Sequence, residues 1–254
     1  MSDDSTSSQA FDRWYADLAV SRVKDDLVRR HLGLPPEMLS TSLVPWTGLD
    51  AVTTALRLVP GEVLLDLACG RGGYGLEVAS RTRARLLGMD FSAEAVRQAT
   101  ANAAAQDRDA AFEVGSLTDT GLPDASVDAV LCVDAVQFVD LPERAFAEAA
   151  RVLDVDGRLV LTAWEARDPD DERVAPGLRG RRWHDGLTVA GFEEVEVEEC
   201  PDWAALERAF WEEAATLAPG EDRALLELRE EARTVLETFD LTRRVMVSAT
   251  RAAR

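Results

Sequence analysis

Val63-Leu64-Leu65-Asp66-Leu67-Ala68-Cys69-Gly70-Arg71-Gly72-Gly73-Tyr74-Gly75 is the stretch on which the fold turns. It opens with a short continuous apolar run that ends in an acid. Such a run, without polar alternation, suits a strand buried on both faces. Glycines at 70 and 72 let the backbone turn sharply and pass close to a ligand, where a Cβ would intrude. A helix is expected from about Tyr74 to Ser80. Leu86-Leu87-Gly88-Met89 is a second buried run, closed by Asp90, and Ser92 is placed to cap an alanine-rich helix over 93–105. Further strands are expected at 111–114, 127–133 and 158–163, with a helix over 142–152 before the last. Strands alternating with helices of this length predict a doubly wound, mostly parallel α/β sheet covered on both faces.

The flanks read differently. The first eight residues are polar and are expected to lie outside the fold. Phe11, Trp14, Leu18, Val23 and Leu27 recur near helical spacing and predict one helix over 9–32, stopped by Leu34-Pro35-Pro36. Residues 40–45 read as loop, and a second helix follows Trp46. Beyond Ala163 come an acidic loop over 165–174, a short helix over 182–189 and a strand over 192–198. Two helices over 203–216 and 223–238, parted by Ala218-Pro219-Gly220, precede a final strand over 242–249. These segments make one domain over 1–254: a helical cover (1–57), a core (58–164) and a second half (165–254) with a helical insertion (203–238).

Composition narrows the function. Hydrophobic residues make up 46% and charged residues 30%, which suits a globular protein. Lys and Arg total 28 against 47 Asp and Glu, a net charge of −19 that repels phosphate backbones and anionic lipid. No nucleic-acid or membrane partner is therefore expected, and Arg179, Arg181 and Arg182 read as solvated surface. No run approaches the roughly 20 apolar residues of a membrane span. The polar start lacks the basic and apolar segments of a signal peptide. Cys69, Cys132 and Cys200 are far apart, which points to a reducing cytoplasm. With only His31 and His184 available and no Cys-x-x-Cys spacing, no metal site is expected.

Gly70-Arg71-Gly72-Gly73-Tyr74-Gly75 matches G-x-G-x-x-G, with Asp90 twenty residues after Gly70. That spacing is the dinucleotide signature and leaves an NAD(P)-dependent oxidoreductase open. Against it, Asp66 ends the first strand where it would oppose a pyrophosphate.

The segment 63–72 resembles the first motif of the Rossmann-like S-adenosylmethionine-dependent methyltransferases. The similarity continues in order through Leu87-Gly88-Met89-Asp90-Phe91-Ser92, through 112–116 and through Leu122-Pro123-Asp124-Ala125-Ser126-Val127-Asp128-Ala129-Val130. It covers roughly 58–163 and implies a seven-stranded sheet whose last strand is antiparallel. It also implies S-adenosylmethionine as cofactor and a small-molecule acceptor. By the same resemblance Asp66 lies near the methionine end, Asp90 accepts from the ribose hydroxyls and Phe91 faces adenine. Ala68, Gly70, Ser116, Leu117, Val133 and Gln137 complete the cofactor contacts, and Tyr15 and Trp46 resemble aromatic residues that relatives place over the cofactor. The chain departs from the pattern where Ala68 replaces a glycine, Ser116 an acid, and Gln137 and Phe138 the frequent histidines. Asp134, at the end of the fourth core strand, and His184, after the fifth, are the candidate catalytic bases. A methyltransferase-like protein that binds the ligand without transfer also stays open, because the chemistry obliges no catalytic residue.

Overall fold

A computed structural model describes the backbone of residues 3–218 and 220–253, and side chains from Ser8 onward. Strands β1 (Val63–Leu67), β2 (Arg85–Asp90), β3 (Ala110–Val114), β4 (Val127–Val133), β5 (Leu153–Ala166), β6 (Phe192–Glu199) and β7 (Thr242–Arg251) form one sheet, in the order β3-β2-β1-β4-β5-β7-β6. The pairs within β1–β5 are parallel, and β7 runs antiparallel between β5 and β6. From β1 the chain winds outward to β2 and β3, then returns to β4 on the other side of β1. That reversal opens a crevice at the carboxyl ends of β1 and β4, where ligands bind in open α/β sheets.

Helices α1 (Asp3–Val20), α2 (Val23–Leu32) and α3 (Leu49–Ala55) precede the sheet. Helices α4 (Gly73–Thr82), α5 (Ala93–Ala105), α6 (Pro142–Val152) and α7 (Trp183–Val189) cross between strands, and α8 (Pro201–Thr216) and α9 (Arg223–Thr238) form the insertion before β7. One face of the sheet packs on α3 and α4 and on the cover, through Leu64, Val78, Leu131 and Phe210. The other face packs on α6 and α7 through Leu65, Phe146 and Trp183. Leu64 and Leu65 are both fully buried, each on one of these faces, so their apolar run needs no polar alternation. Ser92 caps α5 by accepting from the Ala95 amide, and Asp222 caps α9 by accepting from the Leu225 amide.

Four expectations are corrected. The single helix over 9–32 is two helices, broken at Ser21-Arg22, where the Ser21 hydroxyl donates to Asp222 at 2.7 Å. A tie to α9, far off in sequence, thus overrides a helical pattern that continues through the break. Helix α1 begins at Asp3, within the segment expected outside the fold; Met1 and Ser2 lie outside the described residues, as does Pro219 of the expected break between α8 and α9. Strand β5 begins at Leu153 and runs to Ala166, absorbing an Asp-Gly turn signal. Its register on β4 shifts between Val127 and Ala129, and Asp156 takes a φ of +64° there. Nor is the arginine cluster only solvated surface, since Arg181 donates to the Gln137 and Asp140 carbonyls and Arg182 to that of Ala166. Among the described residues no helix is long and apolar enough to cross a membrane.

Candidate active site

The carboxyl ends of β3, β2, β1, β4 and β5 open into one cavity of about 1340 Å³, roofed by α1, the 41–43 loop, α8 and α9. At its centre the chain leaves β1 through Ala68, whose φ of +56° is a left-handed conformation costing a non-glycine residue about 1–2 kcal/mol. Gly70 follows with a φ of +54°, and a Cβ there would lie 3.0 Å from the Tyr15 hydroxyl of α1. Asp90 pins this loop: its Oδ2 accepts from the Gly70 amide and its Oδ1 from the Ser92 amide, both at 2.9 Å. Tyr15, Ala68, Asp90 and Phe91 line the cavity on this side, with Ser116 and Leu117 beyond β3. Phe91 is held edge-on by Phe11 of α1, and the Ser8 hydroxyl donates to the Phe91 carbonyl. The Ser116 hydroxyl accepts from the Thr118 amide. Asp119, which pairs with Ser116 through its backbone, is not part of the wall.

Across the crevice, Val133 and Asp134 end β4 and line the cavity. Asp134 is buried, in a left-handed conformation (φ +55°), and its carboxylate is already engaged. Oδ1 accepts from the Thr162 hydroxyl at 2.6 Å and from Arg244 Nη2 at 2.5 Å, and Oδ2 accepts from the Leu43 amide at 2.8 Å. A base so occupied must break a buried ion pair to take a proton. The geometry therefore makes Asp134 a junction between the 41–43 loop, β4, β5 and β7, not a free base.

The other expected residues lie elsewhere. His184 is exposed on α7, beside Asp185, and borders a separate shallow basin with Glu165, Arg182 and Arg243. Its place after β5 is on the flank of the sheet, away from the crevice. Trp46 lies under the Arg81 guanidinium, 4.5 Å from ring centroid to Cζ, and is not a wall of the cavity. Gln137 sits behind Asp134 and donates to its carbonyl at 2.8 Å. Gly70 supplies its amide to Asp90 and is covered by Tyr15. Asp66 lies beneath the loop against the start of α4, where a Cβ on Gly75 would meet its Oδ2 at 2.5 Å.

Burial pushes the Asp66 carboxyl up to about 8; the nearby Asp90 charge adds to the rise and the Gly75 amide opposes it. The folded protein thus keeps a proton that the unfolded chain releases above its ordinary value of 3.8. Stability from this group is present at low pH and is lost as pH rises towards 8. Asp66→Asn is expected to match the parent near pH 4 and to exceed it by more than about 1.4 kcal/mol, one pKa unit, at pH 8 to 9. Urea midpoints measured across that range check this, and a constant difference would contradict it. Burial also lifts the thiols, Cys132 to about 12, so neither Cys132 nor Cys69 is an available nucleophile.

Several cavity residues lack a sequence signal. Trp14, which suits a helix staple, lines the cavity, as do Trp164 of β5 and Trp211 of α8. Behind them lies a buried group of charges. Arg244 is paired with Asp134 and stands 3.5 Å from Glu207, whose own carboxylate accepts from the indole N–H of both Trp164 and Trp211. Burial pushes Glu207 up to about 7, with Arg244 opposing and Asp134 adding.

The sequence profile of the methyltransferase-domain family matches residues 65–161, from β1 to the middle of β5. Over residues 65–161 the chain is thus similar to a methyltransferase domain. It is 31% identical over 173 residues to 2-methyl-6-phytyl-1,4-hydroquinone methyltransferase of Synechocystis sp., covering 63% of this chain and 52% of that protein. It is 27% identical over 210 residues to 27-O-demethylrifamycin SV methyltransferase of Amycolatopsis mediterranei, covering 76% of this chain and 74% of the relative. The chain spans about half the length of the first of these. In architecture it is similar to the [4+2]-cyclase SpnF, with a TM-score of 0.73, 21% identity and 97% of each chain covered, which speaks for the fold alone. The matched segment contains the glycine loop, with positive φ at Ala68, Gly70 and Gly72, and Asp90 and Phe91 at the end of β2.

Proposed function

We propose that the chain transfers a methyl group from S-adenosylmethionine to an O, N or C atom of a small-molecule acceptor. The observation that carries this is the continuity of one cavity from Asp90 on β2 to Trp164 on β5. Its volume exceeds the roughly 300–1,000 Å³ that a single drug-sized ligand fills, which leaves room for an acceptor beside the cofactor. When bound, S-adenosylmethionine supplies a methyl carbon made electrophilic by positively charged sulfur. Asp90 has lone pairs left, after the Gly70 and Ser92 amides, to accept from ribose hydroxyls. Phe91 and Leu117 offer apolar surface to adenine, with Ser116 as a neutral hydrogen-bonding group, and Ala68 and Val133 border the middle of the cavity. Tyr15 and the rest of α1 close over the loop and keep water out.

The acceptor is held over the ends of β4 and β5, where the chain's contribution is proximity and orientation. We assign Asp134 a positioning role there. Its bonds to Leu43, Thr162 and Arg244 fix the distance between the roof and the sheet. The net charge of −19 supports a small molecule over a nucleic acid, and the three free, buried cysteines fit a reducing cytoplasm.

Incubating the protein with methyl-labelled S-adenosylmethionine and a metabolite extract tests the proposal. A metabolite that gains one labelled methyl group, only when protein is present, is the expected result. S-adenosylhomocysteine binding without any transfer would instead support a ligand-binding protein built on this domain.

A further inference from the structure

The chain's one lysine stands in the cavity. Lys and Arg total 28, and Lys24, in the first turn of α2, is the only lysine among them. It is 6% exposed and lines the cavity, its ammonium 5.0 Å from the centroid of the Trp14 ring. Among the described residues it makes no hydrogen bond and no ion pair, so the ring leaves its N–H donors without an oxygen acceptor. Burial strips the charge of water, and the positive end of the α2 dipole lies in the same turn. The acids of that turn are taken, Asp25 by Arg71 at 2.8 Å and Asp26 by Arg29 at 2.9 Å. Burial accordingly pushes the Lys24 ammonium below its ordinary pKa, with Glu231 and Asp25 opposing and Arg71 adding to the fall. Glu231, exposed on α9, acts from a distance and not through an ion pair.

The other charges of the cavity are already paired or open to water. Asp90 and Asp134 hold the contacts described above. Arg223 is exposed and pairs with Glu227 at 3.0 Å and with Asp17 at 3.5 Å. Arg13, Asp140 and Arg144 are exposed. Arg244 also keeps donors without acceptors, Nε and Nη1, but they lie in the core, off the cavity wall. Among the described residues Lys24 is thus the one buried cation on this wall, and it lacks an anion. Resting on the methyltransferase reading above, we infer that Lys24 is the carboxylate-recognition residue of the cavity, its ammonium pairing with one carboxylate of a bound ligand. The methionine end of S-adenosylmethionine carries such a group, and so does an acidic acceptor. A single ammonium on a flexible stem matches a single negative charge. A phosphate dianion would leave a second charge facing Glu227 and Glu231, and a cationic group would face the lysine's own charge.

Calorimetry on the parent and on Lys24→Met, which keeps an unbranched apolar stem without the charge, tests this with two pairs of probes. The first pair is S-adenosylhomocysteine and 5′-(3-aminopropylthio)-5′-deoxyadenosine, the same molecule without its carboxylate. With the cofactor as source, the variant binds S-adenosylhomocysteine about ten- to hundredfold more weakly, the worth of a hydrogen bond to a charged group, and the decarboxylated molecule equally well. The second pair, 2-naphthoate and 2-naphthol on protein saturated with S-adenosylhomocysteine, reads the acceptor as source. The variant then loses naphthoate by that factor and keeps its affinity for naphthol and S-adenosylhomocysteine. Protein labelled with ε-¹³C-lysine gives one lysine signal, so the parent can be read without any variant. The titration midpoint of that signal should rise by about one pKa unit when the carboxylate binds, the linked equivalent of tenfold tighter binding. Equal losses within a pair, no loss for either carboxylate, or an unmoved midpoint would overturn the inference. A loss of stability in Lys24→Met that Glu231→Gln reproduces, with binding unchanged, would assign the lysine to α9 instead. Failure of S-adenosylhomocysteine to bind the parent would remove the cofactor assignment beneath it, and the naphthoate pair, run without it, would still decide for or against Lys24.

Discussion

Replacing Arg244 by methionine will destabilise the protein by about 3–5 kcal/mol, the usual result of stranding a buried carboxylate by removing its partner. Here two carboxylates are stranded. Asp134 loses its ion pair at 2.5 Å, and Glu207 loses the nearest cation. Both are buried, so water cannot replace the guanidinium without opening the roof. The loss is expected to shrink on acidification, because a carboxyl that takes up a proton no longer needs the charge. Urea unfolding of the variant and the parent at pH 5 and pH 8 reads both effects. A loss below about 1 kcal/mol at pH 8 would show that the Asp134–Arg244–Glu207 group does not hold β4, β7 and α8 together.

Asp90→Ala will weaken S-adenosylhomocysteine binding about ten- to hundredfold, the worth of roughly 1.5–3 kcal/mol for hydrogen bonds to a charged group. The structure adds a second route to the same loss. Asp90 is what the Gly70 and Ser92 amides donate to, so the alanine variant leaves the glycine loop without its anchor at the ligand-facing end of β1. Removing a carboxylate that burial has pushed above its ordinary range offsets part of the cost to the fold. Affinity should therefore fall further than stability does. Calorimetry and thermal melting on the same preparation separate the two, and an unchanged affinity in a folded variant would take Asp90 out of the cofactor site.

What could be read from the sequence was what local chemistry decides. The buried strands, Ser92 as a cap and Asp90 closing β2 each sit within a few residues of the pattern that announces them. The turn after β1 is legible because Gly70 and Gly72 mark a positive-φ backbone and Asp90 ends the neighbouring strand, where it accepts from the Gly70 amide. The buried charges behind the cavity are not. Asp134 and Arg244 meet across 110 positions, and Trp164 and Glu207 across 43, so neither partner carries a local mark of the other. Arg244, directly before the apolar run Val245-Met246-Val247, is the one signal that could have pointed there, since an arginine in a buried strand needs a carboxylate nearby. Asp134 drew attention as a strand-end acid, but only the folded chain shows its lone pairs engaged. His184 drew attention by its side-chain chemistry, though the chain after β5 carries it to the flank of the sheet. The helix over 9–32 failed for the same reason as these charges: its break at Ser21 is made by Asp222.

Titrating the protein with S-adenosylhomocysteine and, in a separate cell, with NAD is the most direct measurement. Binding of S-adenosylhomocysteine in the micromolar range, about −8 kcal/mol, with no comparable heat from NAD, is the expected result. Tight NAD binding with none for S-adenosylhomocysteine would contradict it and return the Gly70–Gly75 loop to a dinucleotide.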